Sequence, residues 1–265
     1  MKIIVVKPAQ IDGGENRGKV QVLPKVVGKT DIGMTRKQNQ DSYQCGFLPD
    51  GAVWAVVCDG MGGENGGEVA SSLAVDSIGR SILRAYRQDM TANSVRTMLL
   101  SAISAANIRV YDRAQSDVML NKMGTTVVSS VVVEGVAHIA YAGDSRVYLI
   151  CGDAVEQLTK DHTMVQALVE RGEITTDQAK NHPQKHVITR ALGVEQGIEI
   201  DYCETRMDEG SVLVICTDGL TNFVEEKDMA RLVRGQNPEA SLDALINAAN
   251  SAGGTDNITI VAVFA

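Results

Sequence analysis

Residues 52–63 read AVWAVVCDGMGG, an apolar run that ends at an aspartate and then passes through glycines. A valine-rich run of this length, bounded by turn residues, is typical of a buried β-strand rather than a helix. Further short runs of the same kind follow, each bounded by Gly, Asp or Glu-Gly turns: residues 126–133, 136–142, 146–151, 212–217 and 257–264. The chain is therefore predicted to be built on β-strands.

The spacing of these strands and of the helical patterns predicts how they are layered. The turns at residues 134–135 and 152–153 are short enough to favour antiparallel hairpins. Two helical patterns lie between the first two strands, and in residues 95–110 apolar residues recur at alternating intervals of three and four. A further helical pattern covers residues 242–249. Because helices arrive as an inserted pair and again near the end, an α+β domain is favoured over a doubly wound sheet, with helices packed outside antiparallel sheets.

Length and charge limit the classes of function. A chain of 265 residues that is 44% hydrophobic can bury one substantial core, and it contains no internal repeat or Pro/Gly-rich linker. The net charge of -8, without any run of Lys and Arg, argues against a nucleic-acid partner. The apolar run in MKIIVV is too short for a membrane span or a signal peptide, so we expect a cytoplasmic protein with no membrane association.

The cysteines predict neither a disulfide framework nor a zinc site. They are odd in number, five, and none of them has CxxC spacing. Cys58, Cys151 and Cys216 lie within or at the end of apolar runs, so they are predicted to be buried free thiols.

Two segments fit the strand scaffold less well. Residues 1–27 form an N-terminal extension, and a Gly-rich turn at residues 12–14 predicts an extra hairpin at a sheet edge. Residues 159–190 are long and polar, and they include several histidines. Long polar segments that connect strands in this way often form binding loops.

Aspartates lie at the ends of several predicted strands, mostly beside glycine. A single Asp-Gly pair is more often an ordinary turn than a ligand. A whole set of aspartates at strand ends is hard to explain as turns, and glycine lets a backbone carbonyl or a water share a cation with the carboxylate. Hard divalent cations prefer such oxygen ligands without Cys or His. The aspartates are Asp41, Asp59, Asp144, Asp218 and Asp256.

An ordered set of short motifs covers nearly the whole chain, from about residue 28 to residue 265. With these motifs the sequence resembles the metal-dependent protein phosphatase family (PPM, type 2C), specifically its bacterial branch. The motifs are RKQNQDS (36–42), DGMGG (59–63), GGEVAS (66–71), MGTT (123–126), GDSR (143–146), LTKDH (158–162), HPQ (182–184), RALG (190–193), CTDGL (216–220) and GTDN (254–257).

The resemblance implies a fold and a metal centre. The fold is a four-layer α-β-β-α sandwich, in which two central antiparallel sheets are flanked by helix pairs. Two catalytic cations, Mn²⁺ or Mg²⁺, would be bound by Asp59, the carbonyl of Gly60, Asp218 and Asp256. Asp144, together with Asp218, resembles a third-metal site. Residues 159–190 correspond to the family's flap beside the active site.

The resemblance also implies a mechanism in which a water that bridges the two cations attacks phosphorus directly. Asp41 would hold a metal-bound water, and Arg36 would bind the phosphate oxygens in a bidentate geometry that lysine cannot reproduce.

One position departs from much of the family. Eukaryotic members carry a histidine, a candidate general acid, where this chain has Met61. His162, His182 or His186 could replace it. We favour a metal-bound water as the source of the proton.

The expected function is a serine/threonine protein phosphatase that acts as a monomer on phosphorylated proteins and opposes a bacterial Ser/Thr protein kinase. The sequence leaves two alternatives open. One is a pseudophosphatase that binds phosphoproteins without turnover, and the other is a phosphatase or phosphodiesterase for small molecules. Metal-dependent turnover excludes the first alternative, and a comparison of phosphopeptides with nucleotides tests the second.

Overall fold

The computed structural model describes residues 2–6 and 24–265 of the chain. Strands and helices alternate irregularly along these residues. The strands are β1 (Lys2–Val6), β2 (Lys25–Asp31), β3 (Asp41–Phe47), β4 (Val53–Met61), β5 (Gly124–Thr125), β6 (Val127–Val133), β7 (Val136–Ala142), β8 (Arg146–Cys151), β9 (Ala154–Gln157), β10 (Asp201–Arg206), β11 (Val212–Cys216) and β12 (Ile258–Phe264). The helices are α1 (Gly63–Ala85), α2 (Ala92–Ser116), α3 (Met164–Glu170), α4 (Thr176–Lys180), α5 (Asp218–Thr221), α6 (Glu226–Val233) and α7 (Pro238–Ser251).

The strands form two antiparallel sheets. Sheet A has the order β1-β2-β12-β11-β8-β9, and sheet B has the order β10-β7-β6-β4-β3, with β5 paired to the end of β4. The β6–β7 and β8–β9 hairpins form at the two predicted turns. In the first turn, Glu134 (φ 51°) and Gly135 (φ 73°) both adopt the left-handed conformation that two-residue hairpins favour.

Apolar side chains fill three layers. Leu213 and Ile215 of β11 lie between the two sheets, whereas Val214 and Cys216 of the same strand face the helices outside sheet A. Successive side chains of a strand point to opposite faces, so a strand covered on both sides needs apolar residues at every position. This explains the continuous apolar runs of the sequence.

A helix pair covers the outer face of each sheet. Buried residues of α1 and α2 pack on sheet B, and those of α6 and α7 pack on sheet A. The apolar stripe predicted for residues 95–110 is the buried face of α2. The predicted four-layer α-β-β-α sandwich is therefore confirmed.

β4 is longer than the sequence predicted. The expected strand covered residues 52–58, but β4 continues through Asp59 and Gly60. Asp59 pairs in register with Asp41 of β3, and Gly60 pairs with Thr125 of β5. Asp and Gly are depleted in strands, but pairing with neighbours on both sides overrides that local preference.

The N-terminal strand lies at an edge of sheet A, where β1 pairs with β2. The turn predicted at residues 12–14 falls outside the described residues, so the proposed hairpin stays a prediction. The division of the chain into an extension (residues 1–27) and a domain (residues 28–265) also stays a prediction.

The five cysteines are all free, as predicted. Cys151 is nevertheless exposed rather than buried, because it ends β8 at the turn into β9. Within the described part of the chain, no helix is long and apolar enough to cross a membrane.

Candidate active site

An open cleft of about 900 Å³ lies where strands of both sheets end. β4 of sheet B contributes to it, and so do the segments that follow β11 and precede β12 of sheet A. The structure places all the predicted site residues except Asp41 along this one cleft. They are Arg36, Asp59, Gly60, Asp144, Asp218 and Asp256.

Two threonines fix the backbone of Asp59. The Asp59 N–H donates to Oγ1 of Thr126 at 3.0 Å, and the Asp59 carbonyl accepts from Oγ1 of Thr125 at 2.8 Å. The Thr126 N–H donates to the same carbonyl at 2.9 Å. These hydrogen bonds use only main-chain atoms of Asp59, so its carboxylate remains available in the cleft. Both threonines belong to the motif MGTT (123–126), but their residue types alone do not indicate this role.

Gly60 lies against the first turns of α1. A Cβ atom at this position would overlap the carbonyl oxygen of Gly67 and would come within 2.6 Å of the carbonyl oxygen of Gln40. The Gly60 N–H also donates to that Gln40 carbonyl at 3.2 Å. The close approach of backbone that the sequence suggested is therefore present, and it requires glycine.

We expect Gly60→Ala to reduce turnover of p-nitrophenyl phosphate with Mn²⁺ roughly 100-fold, since the added methyl group must displace the Asp59–Gly60 backbone. The measurement is kcat, with circular dichroism to show that the variant is folded. Gly197→Ala is the matched control, because a Cβ there meets no atom within 4 Å. Equal activity of the two variants would contradict the close-packing argument.

Asn257 connects the segments that carry Arg36 and Asp256. Its side chain donates to the carbonyls of Ile32 and Gln38, at 2.9 and 3.0 Å, and accepts from the Gln40 N–H at 2.8 Å. Its own N–H donates to Oδ1 of Asp256 at 2.8 Å. This asparagine therefore positions the loop before β3 against the start of β12.

Arg36 and Asp256 form an ion pair in the wall of the cleft. Nη2 of Arg36 donates to Oδ2 of Asp256 at 2.8 Å, and about half of the Arg36 side chain is exposed. The hydrogen bond to Asp256 raises the pKa of Arg36, and the charges of Asp59 and Asp218 raise it further despite partial burial. The guanidinium group is thus permanently charged and open to the cleft.

Asp41 lies opposite Asp59 in the β3–β4 pair and is buried rather than lining the cleft. Oδ2 of Asp41 accepts from Oγ1 of Thr217 at 2.9 Å, while Oδ1 is buried without a hydrogen-bond partner. The role predicted for Asp41, holding a water, stays a prediction.

Burial and mutual repulsion raise the pKa values of several carboxylates at this site. Burial raises the pKa of Asp41 to about 7, and the charges of Asp218 and Asp256 contribute to this shift. Burial, with repulsion from Asp218, likewise raises the pKa of Asp144 to about 7. The pKa of Asp59 lies well above its usual value for the same two reasons. The site therefore concentrates more negative charge than it can stabilise by itself.

The donor set fits hard divalent cations. Oδ1 of Asp218, like Oδ1 of Asp41, is buried without a hydrogen-bond partner, and every candidate ligand is an oxygen atom. Among the described residues, no three His, Cys, Asp or Glu side chains form a group that could hold a metal ion. Mg²⁺ usually takes only one or two carboxylates and keeps several waters, so this open arrangement suits it.

The predicted flap reaches the cleft through His186 and Ile188. His162 and His182 are not among the lining residues. His162 is buried, its Nδ1 accepts from the Gly143 N–H at 3.1 Å, and burial lowers its pKa. Of the three candidate acids, only His186 is therefore placed beside the carboxylates.

Comparisons with known proteins agree with this fold. A sequence profile described as Protein phosphatase 2C matches residues 34–254. Serine/threonine phosphatase stp of Listeria innocua is 38% identical over 239 residues, 89% of this chain and 93% of that protein. The serine/threonine phosphatase of S. agalactiae superposes with a TM-score of 0.86 at 32% identity, over 91% of this chain and 99% of that one.

A further solved relative contains metal. The catalytic domain of the serine/threonine protein phosphatase PstP, in complex with two manganese ions, has a TM-score of 0.78 at 29% identity. It aligns with 91% of this chain and 97% of that chain.

An α-β-β-α sandwich with a cleft that carries several aspartates where strands of both sheets end is the arrangement expected of a protein phosphatase 2C. The chain belongs to the protein phosphatase 2C family (PPM), in its bacterial branch, and is an enzyme.

Proposed function

We propose that the chain is a metal-dependent phosphatase that hydrolyses phosphoserine and phosphothreonine in proteins. The observation that carries the proposal is the convergence of Asp59, Gly60, Asp218 and Asp256 with Arg36 in one cleft. The serine/threonine phosphatases to which the chain is similar support the same substrate class.

The chain's oxygen atoms would hold two cations, Mn²⁺ or Mg²⁺. The proposed ligands are Asp59, the Gly60 carbonyl, Asp218 and Asp256, and Asp144 with Asp218 would hold a third ion. When bound, such cations supply a water of lowered pKa and neutralise charge on the phosphoryl group.

Arg36 and Asp41 would complete the site. The exposed part of the Arg36 guanidinium can donate two parallel hydrogen bonds to phosphate oxygens and so fix the phosphorus for in-line attack. Asp41 would orient the attacking water through its free Oδ1.

Direct attack by water is favoured over a phosphocysteine route. Cys58 and Cys216 are the two cysteines nearest in sequence to predicted ligands, Asp59 and Asp218. Burial raises the pKa of the Cys216 thiol to about 12. Burial also raises the pKa of Cys58 far above neutrality. Neither thiol forms the thiolate that a nucleophile requires.

We expect Arg36→Lys to lower kcat/KM for a phosphothreonine peptide roughly 10- to 100-fold, because lysine is a point charge that cannot bind two phosphate oxygens at once. Steady-state kinetics with Mn²⁺ measures the change. Arg80→Lys, on the exposed surface of α1, is the control and should match the wild type. If Arg36→Lys behaved like this control, Arg36 would not bind phosphate.

We also propose that the substrates are proteins phosphorylated by a bacterial Ser/Thr protein kinase, and that the enzyme acts on them in the cytoplasm as a monomer. These proposals extend the family assignment to a cellular setting. Dephosphorylation of a kinase-phosphorylated protein and the mass of the purified enzyme in solution test them.

The decisive experiment follows hydrolysis of a phosphothreonine peptide, p-nitrophenyl phosphate and nucleotides with Mn²⁺, with Mg²⁺ and with chelator. We expect peptide turnover that depends on metal. Preferential turnover of nucleotides would indicate a small-molecule phosphatase instead. Peptide binding without any turnover, in a folded protein, would indicate a pseudophosphatase.

A further inference from the structure

A second pocket of about 580 Å³, here called the side pocket, adjoins the cleft. Met61 and Ile188 line both spaces, so the side pocket lies directly beside the cleft. The side pocket lies between residues 188–191 and residues 194–199. A polypeptide advances at most about 3.3–3.6 Å per residue, so side chains within a few positions of a phosphoresidue in the cleft can reach it.

Asn107, a buried polar residue of α2, holds one wall of the side pocket in place. Nδ2 of Asn107 donates to the carbonyls of Glu195 and Gln196, both at 3.0 Å, and Oδ1 accepts from the Gly193 N–H at 2.8 Å. Asn107 is only 1% exposed. Residues 193–196 are therefore held in place by a buried side chain. A wall that is already formed lowers the entropic cost of binding a ligand.

The surface of the side pocket is amphipathic. Met61, Val194 and Ile198 provide apolar surface, and Val194 is 56% exposed. Glu195 and Glu199 also line the pocket, and both are exposed. A long side chain with an aliphatic stem and a cationic head matches this combination, because the stem covers apolar surface while the head meets carboxylates.

Arg190, a cation that lines the same pocket, is balanced by carboxylates. Its Nη2 lies 2.9 Å from Oε2 of Glu199, and its Nη1 lies 2.8 Å from Oδ1 of Asp201. Glu195 adds a further negative charge. The net charge of these side chains (Arg190, Glu195, Glu199 and Asp201) is therefore negative. A negative net charge repels acidic residues of a substrate and attracts basic ones.

We propose that the side pocket is a subsite for a lysine or arginine side chain of the substrate, close in sequence to the phosphoresidue. The inference rests on the proposed function and narrows it to phosphoproteins with a basic residue near the phosphorylated position.

The test uses phosphothreonine peptides of otherwise neutral sequence, with lysine or glutamate placed in turn at each of three positions on either side. We expect at least one position where lysine gives a kcat/KM roughly tenfold above glutamate, with a smaller preference at high salt. Glu195→Lys should bring that ratio to one or below. Glu209→Lys, in the turn before β11 and so at the opposite end of that strand from Asp218, should keep the wild-type ratio.

Rates on p-nitrophenyl phosphate, measured for each variant, separate a change in peptide recognition from a change in the catalytic site. A lysine-to-glutamate ratio below about threefold at every position would overturn the subsite. So would a preference that Glu195→Lys leaves unaltered. Hydrolysis of p-nitrophenyl phosphate without hydrolysis of any peptide would instead refute the proposed protein substrate, and the subsite with it.

Discussion

Asp218→Asn is expected to reduce Mn²⁺- or Mg²⁺-dependent turnover by about a thousandfold or more, because it removes charge where the proposed cations bind. Oδ1 of Asp218 is buried without a hydrogen-bond partner, whereas Oδ2 accepts from Asn222 at 3.0 Å. Asparagine can keep the contact to Asn222 through its amide oxygen, but it cannot supply the negative charge. The measurement is kcat on p-nitrophenyl phosphate over a range of metal concentrations.

Thermal stability tests the role of Asp218 independently of activity. Since burial and repulsion from Asp256 raise the pKa of Asp218, the neutral variant should have a higher Tm than the wild type in chelator. The increase in Tm that Mn²⁺ causes in the wild type should shrink in the variant. Retained metal-dependent turnover would contradict the assignment of Asp218 as a ligand.

Two comparison variants make this result specific. Asp208→Asn, at an exposed position before β11, should behave as the wild type. Asp41→Asn should lose less activity than Asp218→Asn, because Asp41 is expected to act through a water. Equal losses in Asp41→Asn and Asp218→Asn would contradict that indirect role.

The second large effect concerns the pH dependence of stability in the absence of divalent cations. Burial raises the pKa values of Asp41 and Asp144 to about 7 in the folded state, whereas an aspartate in the unfolded chain titrates near pH ~3.9. Between these two values the folded protein binds more protons than the unfolded chain. The free energy of unfolding should therefore fall as pH rises from about 4 to 7, by an amount on the order of a few kcal/mol.

Denaturant unfolding in chelator at pH 5, 6, 7 and 8 measures this slope. Saturating Mn²⁺ should raise stability most at the higher pH values, because cations compete with protons for the same carboxylates. Asp144→Asn should reduce the slope, since it removes one of the groups with a raised pKa. Stability in chelator that is constant or increases between pH 5 and 7 would refute the electrostatic description of the cleft.

The sequence identified most of the central strands, but it missed β2 within sheet A, the short strands β5 and β9, and both edges of sheet B. β11 and β12 are recognisable because they are buried on both faces and therefore continuously apolar. β3 (DSYQCGF) and β10 (DYCETR) have no such run, and they are the two edge strands of sheet B. An edge strand has a neighbour on one side only and tolerates polar residues, so local hydrophobicity does not reveal it.

Several residues that position the site were also beyond the reach of sequence reasoning. Thr125 bonds to Asp59, 66 positions away, and Asn107 bonds to the carbonyl of Glu195, 88 positions away. Threonine and asparagine occur on many surfaces, and their types alone do not predict such partners. In Asn107, a polar residue within the apolar face of α2 was the one available signal.

The sequence by itself determined the element types of the core and the chemistry of the donors, because hydrophobic periodicity and side-chain type are local properties. It therefore predicted the layered α+β domain and an oxygen-only set of ligands. Only the tertiary structure decided that Asp59 lies within a strand, that Asp41 is buried opposite it, and that Arg36 faces Asp256. Distances, burial and the raised pKa values arise from contacts between residues far apart in the chain, and these exist only once the sheets have packed together.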